Sequence, residues 1–287
     1  MGLKEQAMTM YIAAYDTENP ACLAGVRRIV EVHEKFAMPA TFFMVARLLE
    51  DQRNEYVALL RDHPLFEIAC HSYSHMLLVD TPRFGKAGSR DRLPQELVTS
   101  KMMLEDAFGC EVIGFRPPVC APDGVATATE AVRIIDGAGY RYVSSVAWGP
   151  DFSMPAPLTR PFTYAAQGFP NLWEIPPCGW HDNLLKGNNN AGPLLLCLFP
   201  SPMPEAVPKD YVKTPEEEFA VNNKPFIDRA ARDGMPHVSL IWHPWSLHRF
   251  DPDMRMLELT FSYVREQNLS TGTFATLLAQ LQNEAQL

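Results

Sequence analysis

Apolar runs alternate with amphipathic segments along most of the chain. Residues 40–45 form a near-continuous apolar run, which is typical of a strand covered on both faces in a parallel sheet. The stretch after Asn19-Pro20 instead repeats apolar residues at helical spacing. Seven runs have strand character: residues 9–15, 40–45, 65–70, 111–115, 140–146, 172–176 and 237–242.

Helix signals separate these runs. Thr214-Pro215-Glu216-Glu217 is a capping box with proline at the first helical position, and it predicts a helix that continues to Arg232. Gly109 is placed to end a helix that begins at Pro94. Further helices are predicted around residues 55–61, 129–136 and 253–266 and near the end of the chain. This alternation requires parallel strands with helical crossovers, so we predict an α/β fold in a single domain over residues 1–287.

Composition and charge narrow the classes of partner. The 287 residues include 25 basic and 34 acidic side chains, and the net charge of −9 argues against nucleic acid or an anionic membrane surface as a partner. No stretch approaches the ~20 consecutive apolar residues of a membrane helix. Residues 1–8 show no apolar core of a signal peptide, and the six cysteines include no Cys-x-x-Cys pair. We therefore expect a cytoplasmic protein, and its composition is compatible with a homo-oligomer.

Polar side chains collect where the predicted strands end. In a parallel α/β barrel these positions open on the carboxyl-terminal face, where active sites lie. Two imidazoles one helical turn apart can face a single point, and one carboxylate with two imidazoles is a good ligand set for zinc. A remaining carboxylate and a remaining histidine could then serve as base and acid. The residues concerned are Asp16, Glu18, His71, His75, Arg116 and His243.

These residues fall into segments that resemble known motifs. Residues 16–18 stand where an Asp-x-Asp motif would be, residues 71–75 match His-Ser/Thr-x-x-His, and residues 116–119 resemble Arg-x-Pro-Tyr. Residues 240–243 resemble Leu-x-Leu-His, and residues 40–43 resemble the usual second strand. Over residues 10–280 the chain thereby resembles the NodB-homology polysaccharide deacetylases, carbohydrate esterase family four. The resemblance implies a deformed (β/α) barrel of about seven strands.

The resemblance also implies a role for each polar residue. Asp16 would be the catalytic base, oriented by Arg116, and His243 would be the general acid. A divalent metal would bind three side chains, with zinc first and cobalt, nickel or manganese as alternatives. The backbone N–H of Val119 would help to hold the oxyanion, because Pro118 has none to offer. The implied metal ligands are Glu18, His71 and His75, and the residues expected to line the substrate are Val119, Trp148, Trp180 and Trp242.

Departures from the motifs leave the substrate open. The metal-binding carboxylate is Glu18 where the family usually has aspartate, Val119 replaces a tyrosine, and Trp148 and Asp151 are the nearest match to a fourth motif. The leading hypothesis is a metal-dependent hydrolase that cleaves an N-acetyl or N-formyl amide on a carbohydrate or related small substrate. One alternative is a metal-free cyclic amide hydrolase of the allantoinase-like, cytoplasmic branch, which would need no cofactor. Another is a carbohydrate-binding relative that has lost catalysis.

Overall fold

A computed structural model describes residues 9–82, 84–149, 152, 156–180 and 214–285, without the side chains of residues 179 and 180. Its centre is a ten-stranded sheet in which the strands follow the order β6-β7-β5-β4-β3-β2-β1-β9-β8, with β10 beside β1. The strands are β1 Met10–Thr17, β2 Ala40–Met44, β3 Phe66–Cys70, β4 Gly114–Phe115, β5 Tyr142–Val143, β6 Phe162–Tyr164, β7 Phe169–Glu174, β8 Gly179–Trp180, β9 His237–Trp242 and β10 Ser270–Thr271.

The sheet is parallel apart from the pairing of β6 with β7. The seven predicted strands correspond to β1–β5, β7 and β9, so the predicted α/β fold is confirmed. Within the described residues the sheet is open, because no ladder joins β6 to β8. Residues 149–210 are rich in proline and asparagine, which predicts extended loops over one face of the fold. They lie largely outside the described residues, and their described part contains β6 and β8, which were not predicted.

Nine helices occur in the described part of the chain. They are α1 Cys22–Phe36, α2 Leu48–Leu60, α3 Ser100–Phe108, α4 Thr129–Gly137, α5 Pro215–Glu218, α6 Lys224–Arg232, α7 Pro244–Phe250, α8 Arg255–Glu266 and α9 Phe274–Ala285. A π-helical turn precedes α3, and another joins α5 to α6. The capping box at Thr214 forms as predicted, and Gly109 ends α3 with a φ of 68°. None of these helices has both the length and the apolar character needed to span a bilayer.

The alternation of side chains along β1 separates two cores and places the first site residue. Tyr11 and Tyr15 pack in the main core, which contains residues of the surrounding helices. Ile12 and Ala14 point to the opposite face and pack in a smaller core with residues of α9. Because successive side chains of a strand point to opposite faces, Asp16 continues the row of Ile12 and Ala14. The face of β1 that packs in the smaller core therefore ends in a carboxylate.

Candidate active site

The carboxylate of Asp16 is buried at the carboxyl end of β1 and faces a cation. Nη1 of Arg116 donates a 2.7 Å hydrogen bond to Oδ1 of Asp16, and both side chains are almost fully buried. Nη2 of Arg116 donates to Oγ of Ser144 at 3.0 Å, and the guanidinium carbon lies 3.9 Å from the centre of the Phe43 ring. Separating the two groups would leave a buried charge without its partner, which is costly. The two side chains therefore hold each other in place.

His71 follows β3, and its tautomer is set by the backbone of Arg116. Nδ1 of His71 lies 2.8 Å from the carbonyl oxygen of Arg116. A carbonyl oxygen can only accept, so Nδ1 carries the proton and Nε2 presents a lone pair. Burial lowers the pKa of His71 to about 4, although the nearby charges of Asp16 and Glu18 act in the opposite direction. The ring is therefore neutral near pH 7, which is the form that binds a metal.

A tight loop, and not a helical turn, brings His71 and His75 together. Ser72 and His75 have left-handed backbone conformations with φ angles of 69° and 64°, which are uncommon for residues other than glycine. Oγ of Ser72 accepts a 3.0 Å hydrogen bond from the backbone N–H of His75. The two imidazole centres lie 5.0 Å apart. Our expectation that helical geometry aligns the rings is therefore wrong, although the rings do converge.

Glu96 anchors this loop and was not identified from the sequence. Its buried carboxylate accepts hydrogen bonds from the backbone N–H groups of Tyr73 (3.1 Å) and Ser74 (2.8 Å) and from the Ser74 hydroxyl (2.6 Å). Arg92 also donates to it at 2.8 Å. Glu96 lies in the turn before α3, far along the chain from the histidines, so no sequence spacing linked it to them. It holds the chain segment between the two imidazoles.

Glu18 follows β1 directly and faces the second histidine. Its Oε2 lies 3.1 Å from Nε2 of His75, and its Oε1 accepts a 2.8 Å hydrogen bond from Nε1 of Trp245. The ligand atoms of Glu18, His71 and His75 all lie within 4.8 Å of one another. Two imidazoles and a carboxylate are ligands that zinc prefers, and three protein ligands leave a position for water. The donor set therefore fits a divalent metal ion.

Opposing influences act on the charge of Glu18. Burial raises the pKa of Glu18, but the neighbouring imidazoles lower it by more. His243 makes the largest single contribution to the lowering, followed by the hydrogen bond and the charge of His75. The net effect holds the pKa of Glu18 well below the usual range of a glutamate, so the side chain is ionised at neutral pH.

His243 lies between β9 and α7, where it precedes the first residue of the helix. β9 pairs with β1, and Tyr15 is the register partner of Trp242, so His243 is one step beyond the last pair, next to the end of β1. Its side chain is largely buried, and its charge lowers the pKa of Glu18. The four strand ends named by the sequence therefore meet at one edge of the sheet.

Val119 and Trp148 lie together beyond β4 and β5. Val119 has a φ of 68°, and its carbonyl oxygen accepts a 2.6 Å hydrogen bond from Nε1 of Trp148. Among the described residues, the N–H of Val119 donates to no other group. The centre of the Trp148 ring is 6.1 Å from that of Phe84 and 5.7 Å from that of Phe152, and we call these three residues the aromatic wall. Phe84 is 39% exposed, so the wall has one open face.

Two of the predicted substrate residues need a different account. Trp242 has no exposed surface and belongs to the main core, on the same face as its register partner Tyr15. Because Asp16 points to the other face, the prediction that Trp242 lines the substrate site is corrected. Trp180 belongs to β8, where its backbone pairs with Ile241, but its side chain lies outside the described residues, as does Asp151.

Comparisons with known proteins agree with the fold and bear on the site. Residues 15–143 match the family model described as polysaccharide deacetylase, a segment that contains Asp16, Glu18, His71, His75 and Arg116 but not His243. No curated protein matches the chain by sequence. This match confirms two predictions, the family and the class of enzyme, which is a deacetylase-type hydrolase of amide bonds.

Solved structures with the same fold have low sequence identity to this chain. A probable polysaccharide deacetylase from Pseudomonas aeruginosa superposes with a TM-score of 0.63 at 14% identity, covering 96% of this chain and 91% of that one. The CE4 domain of a multidomain xylanase from the hindgut metagenome of Trinervitermes trinervoides gives 0.54 at 11% identity, covering 96% and 92%. A CE4 family pseudoenzyme from Bacillus anthracis gives 0.54 at 15% identity, covering 96% of this chain and 66% of its own.

Proposed function

We propose that this chain, which carries a polysaccharide deacetylase domain, is a metal-dependent hydrolase that removes an N-acetyl or N-formyl group from an amino sugar or a related small carbohydrate. One observation carries the proposal: three metal-ligand side chains, a buried Asp16–Arg116 pair and His243 meet at one edge of the sheet. A protein that only bound carbohydrate would need neither the buried acid nor the histidine. The similarity of the fold to that of a pseudoenzyme does not contradict this proposal, because a fold does not determine activity.

Hydrolysis of an amide requires a proton to be taken from water and a proton to be given to the nitrogen. We assign the role of catalytic base to Asp16, because Glu18 is directed at His75 and Arg116 holds Asp16 in a fixed orientation. We assign the role of general acid to His243, because this residue reaches the site from the end of β9 and not from the loop that carries His71. Glu18, His71 and His75 would hold the metal, which when bound supplies a Lewis acid for the carbonyl group and the water.

The developing oxyanion needs hydrogen-bond donors that are already in place. The N–H of Val119 has no other acceptor among the described residues, and the carbonyl group of the same residue is held in the next peptide by the indole of Trp148. We therefore assign this N–H to the oxyanion. Val119 is a β-branched residue in a left-handed conformation, which is unfavourable unless the surroundings hold it there.

The aromatic wall supports a sugar as the substrate. Trp148 is almost fully buried and places the partly exposed ring of Phe84 beside the segment that contains Val119. Aromatic rings offer a large rigid apolar surface, which suits the apolar face of a pyranose ring. The cytoplasmic location, a homo-oligomeric state and the absence of nucleic-acid and membrane partners stay predictions.

A substrate panel tests the proposal. Protein stripped with a chelator should release acetate or formate from N-acetylated or N-formylated amino sugars only after Zn²⁺, Co²⁺ or Mn²⁺ is restored. His71→Ala should lose both the bound metal and this activity, whereas His248→Ala, which changes an exposed histidine, should lose neither. Turnover of a cyclic ureide by the stripped protein would favour the metal-free alternative. Inactivity toward the whole panel with metal bound would contradict the proposed reaction.

A further inference from the structure

Trp245 is the second residue of α7, and its indole reaches across to the end of β1. Nε1 donates a 2.8 Å hydrogen bond to Oε1 of Glu18. The side chain is only partly buried, so it is not a core residue of the kind that Trp242 is. The bond joins a residue of α7 to one of the three side chains that could bind a metal.

The segment that contains Glu18 leads into α1, and α1 is in direct backbone contact with the helix that carries Trp245. Glu18 and α1 follow β1, and Trp245 belongs to α7. A Cβ atom added to Gly25 of α1 would lie only 2.0 Å from the carbonyl oxygen of Pro244, the first residue of α7. Only glycine permits such a close approach of two backbones. This packing holds the start of α7, which carries Trp245, against α1.

The bond divides the two oxygens of Glu18 between two partners. Oε1 is held by the indole, and Oε2 lies 3.1 Å from Nε2 of His75. A glutamate has one more rotatable bond than the aspartate found in the related motif, so its carboxylate has more freedom to turn away from the histidines. Hydrogen bonds to metal ligands fix their orientation and raise the metal affinity of the site.

We propose that Trp245 is a positioning residue that orients the longer carboxylate of Glu18, so that Oε2 is the oxygen presented to a divalent cation. This inference rests on the metal site of the proposed function. The indole itself cannot ligate the cation, because its N–H is a donor only. Trp245 thus compensates for the glutamate in this chain, and a chain with aspartate at this position would not need it.

Zinc affinity measured by competition with a chelating dye tests this role without any substrate. Trp245→Phe should weaken zinc binding by about 10- to 100-fold, the usual effect of removing such a hydrogen bond. Trp173→Phe, which changes a partly buried tryptophan on β7, is the matched control and should bind zinc as the unaltered protein does. Thermal unfolding of each variant without metal checks that the fold is retained.

A double-mutant cycle separates positioning from general packing. In Glu18→Asp the shorter carboxylate no longer reaches the indole, so adding Trp245→Phe to that variant should change zinc affinity by less than twofold. The visible spectrum of bound Co²⁺ should change with Trp245→Phe in the Glu18 protein but not in the Glu18→Asp protein. Equal losses in both backgrounds, or no loss in either, would overturn the positioning role and leave the metal site intact. Absence of zinc binding in the unaltered protein would overturn both proposals.

Discussion

The two ends of the sheet both contain histidines and carboxylates that are buried or partly buried, but their partners differ in kind. At the amino end, the Glu67 carboxylate accepts hydrogen bonds from the Thr41 hydroxyl (2.7 Å), the Tyr142 hydroxyl (2.8 Å) and the backbone N–H of Ala275 (2.9 Å). All three donors are neutral groups of the fold, and burial raises the pKa of Glu67. At the carboxyl end, Asp16 is paired with a guanidinium.

The histidines show the same difference. Nε2 of His237, at the start of β9, lies 2.8 Å from the carbonyl oxygen of Pro176, and the ring packs near Phe274. His71, at the other end of the sheet, also bonds to a carbonyl group, but its free nitrogen faces Glu18 and His75. Burial lowers the pKa of both His71 and His237 to about 4. Neither burial nor a shifted pKa alone therefore identifies the site, and the convergence of several ionisable groups does.

The largest expected difference between the two ends is catalytic. Asp16→Asn and His243→Ala should each lower kcat by about 100-fold or more on an N-acylated sugar, because each removes acid–base assistance. Both variants should keep the metal. The double variant should lose less than the product of the two single losses, since the groups act on one transition state. The measurement is kcat at saturating substrate with metal content determined in parallel, and near-normal kcat in either single variant would remove that residue from the mechanism.

The second difference is in stability. Glu67→Ala leaves three donors without their acceptor, two of them on the buried residues Thr41 and Tyr142, and should lower the free energy of unfolding by about 1–3 kcal/mol for each buried donor that finds no substitute. The value of kcat per folded molecule should not change, because Glu67 is at the amino end. Glu96→Ala changes the corresponding carboxylate at the loop that carries His71 and His75, and it should weaken zinc binding by about tenfold. Denaturant unfolding and zinc titration on both variants measure these two effects. An equal loss of zinc affinity in Glu67→Ala would contradict the assignment of Glu67 to stability and of Glu96 to the metal site.

The strands and the polar residues at their ends could be predicted because each depends on a local pattern. Continuous apolar runs mark buried parallel strands, and the first polar residue after a run is placed at the sheet edge by the strand itself. Glu96, Trp245 and Phe84 could not be predicted in the same way, because their relation to the site is created by loop and helix packing. The strand β8 pairs only two residues with β9, too few for a sequence pattern.

The position of Trp242 shows the limit of a motif. The sequence places Trp242 next to His243, which suggests a shared site. In a strand, neighbouring residues point to opposite faces, so the histidine beyond β9 reaches the site while Trp242 packs in the main core. The His-x-x-x-His spacing has the same limit, since the spacing is compatible with a helical turn or with a left-handed loop.

A third difference concerns pH and should be smaller than the loss of Glu67. The pKa of His237 is about 4 in the folded protein because of burial, against about 6.5 when exposed. Between these values the unfolded chain binds a proton that the folded protein does not, so the free energy of unfolding falls as pH decreases from 6.5 to 4. One such histidine contributes at most about 1.4 kcal/mol per pH unit.

His237→Gln removes this titration and should make the pH dependence of unfolding shallower in that window, whatever the other groups contribute. The exposed residue His248 provides the control, and His248→Gln should keep the slope of the unaltered protein. Denaturant unfolding at several pH values between 4 and 7 gives the slopes. Equal slopes for His237→Gln and the unaltered protein would show that His237 is not held neutral by the fold.

The smallest expected effect concerns the aromatic wall, and it compares two phenylalanines of equal exposure. Phe84 and Phe162 are both 39% exposed, but Phe84 contacts Trp148 near the site, and Phe162 is on the edge strand β6. If the wall carries a sugar ring, Phe84→Ala should raise KM for an N-acetylated oligosaccharide by about fivefold, or about 1 kcal/mol, with kcat within twofold. Phe162→Ala should change neither constant. Steady-state kinetics on the two variants decide the point, because equal KM values would show that the exposed ring of Phe84 makes no contact with the substrate.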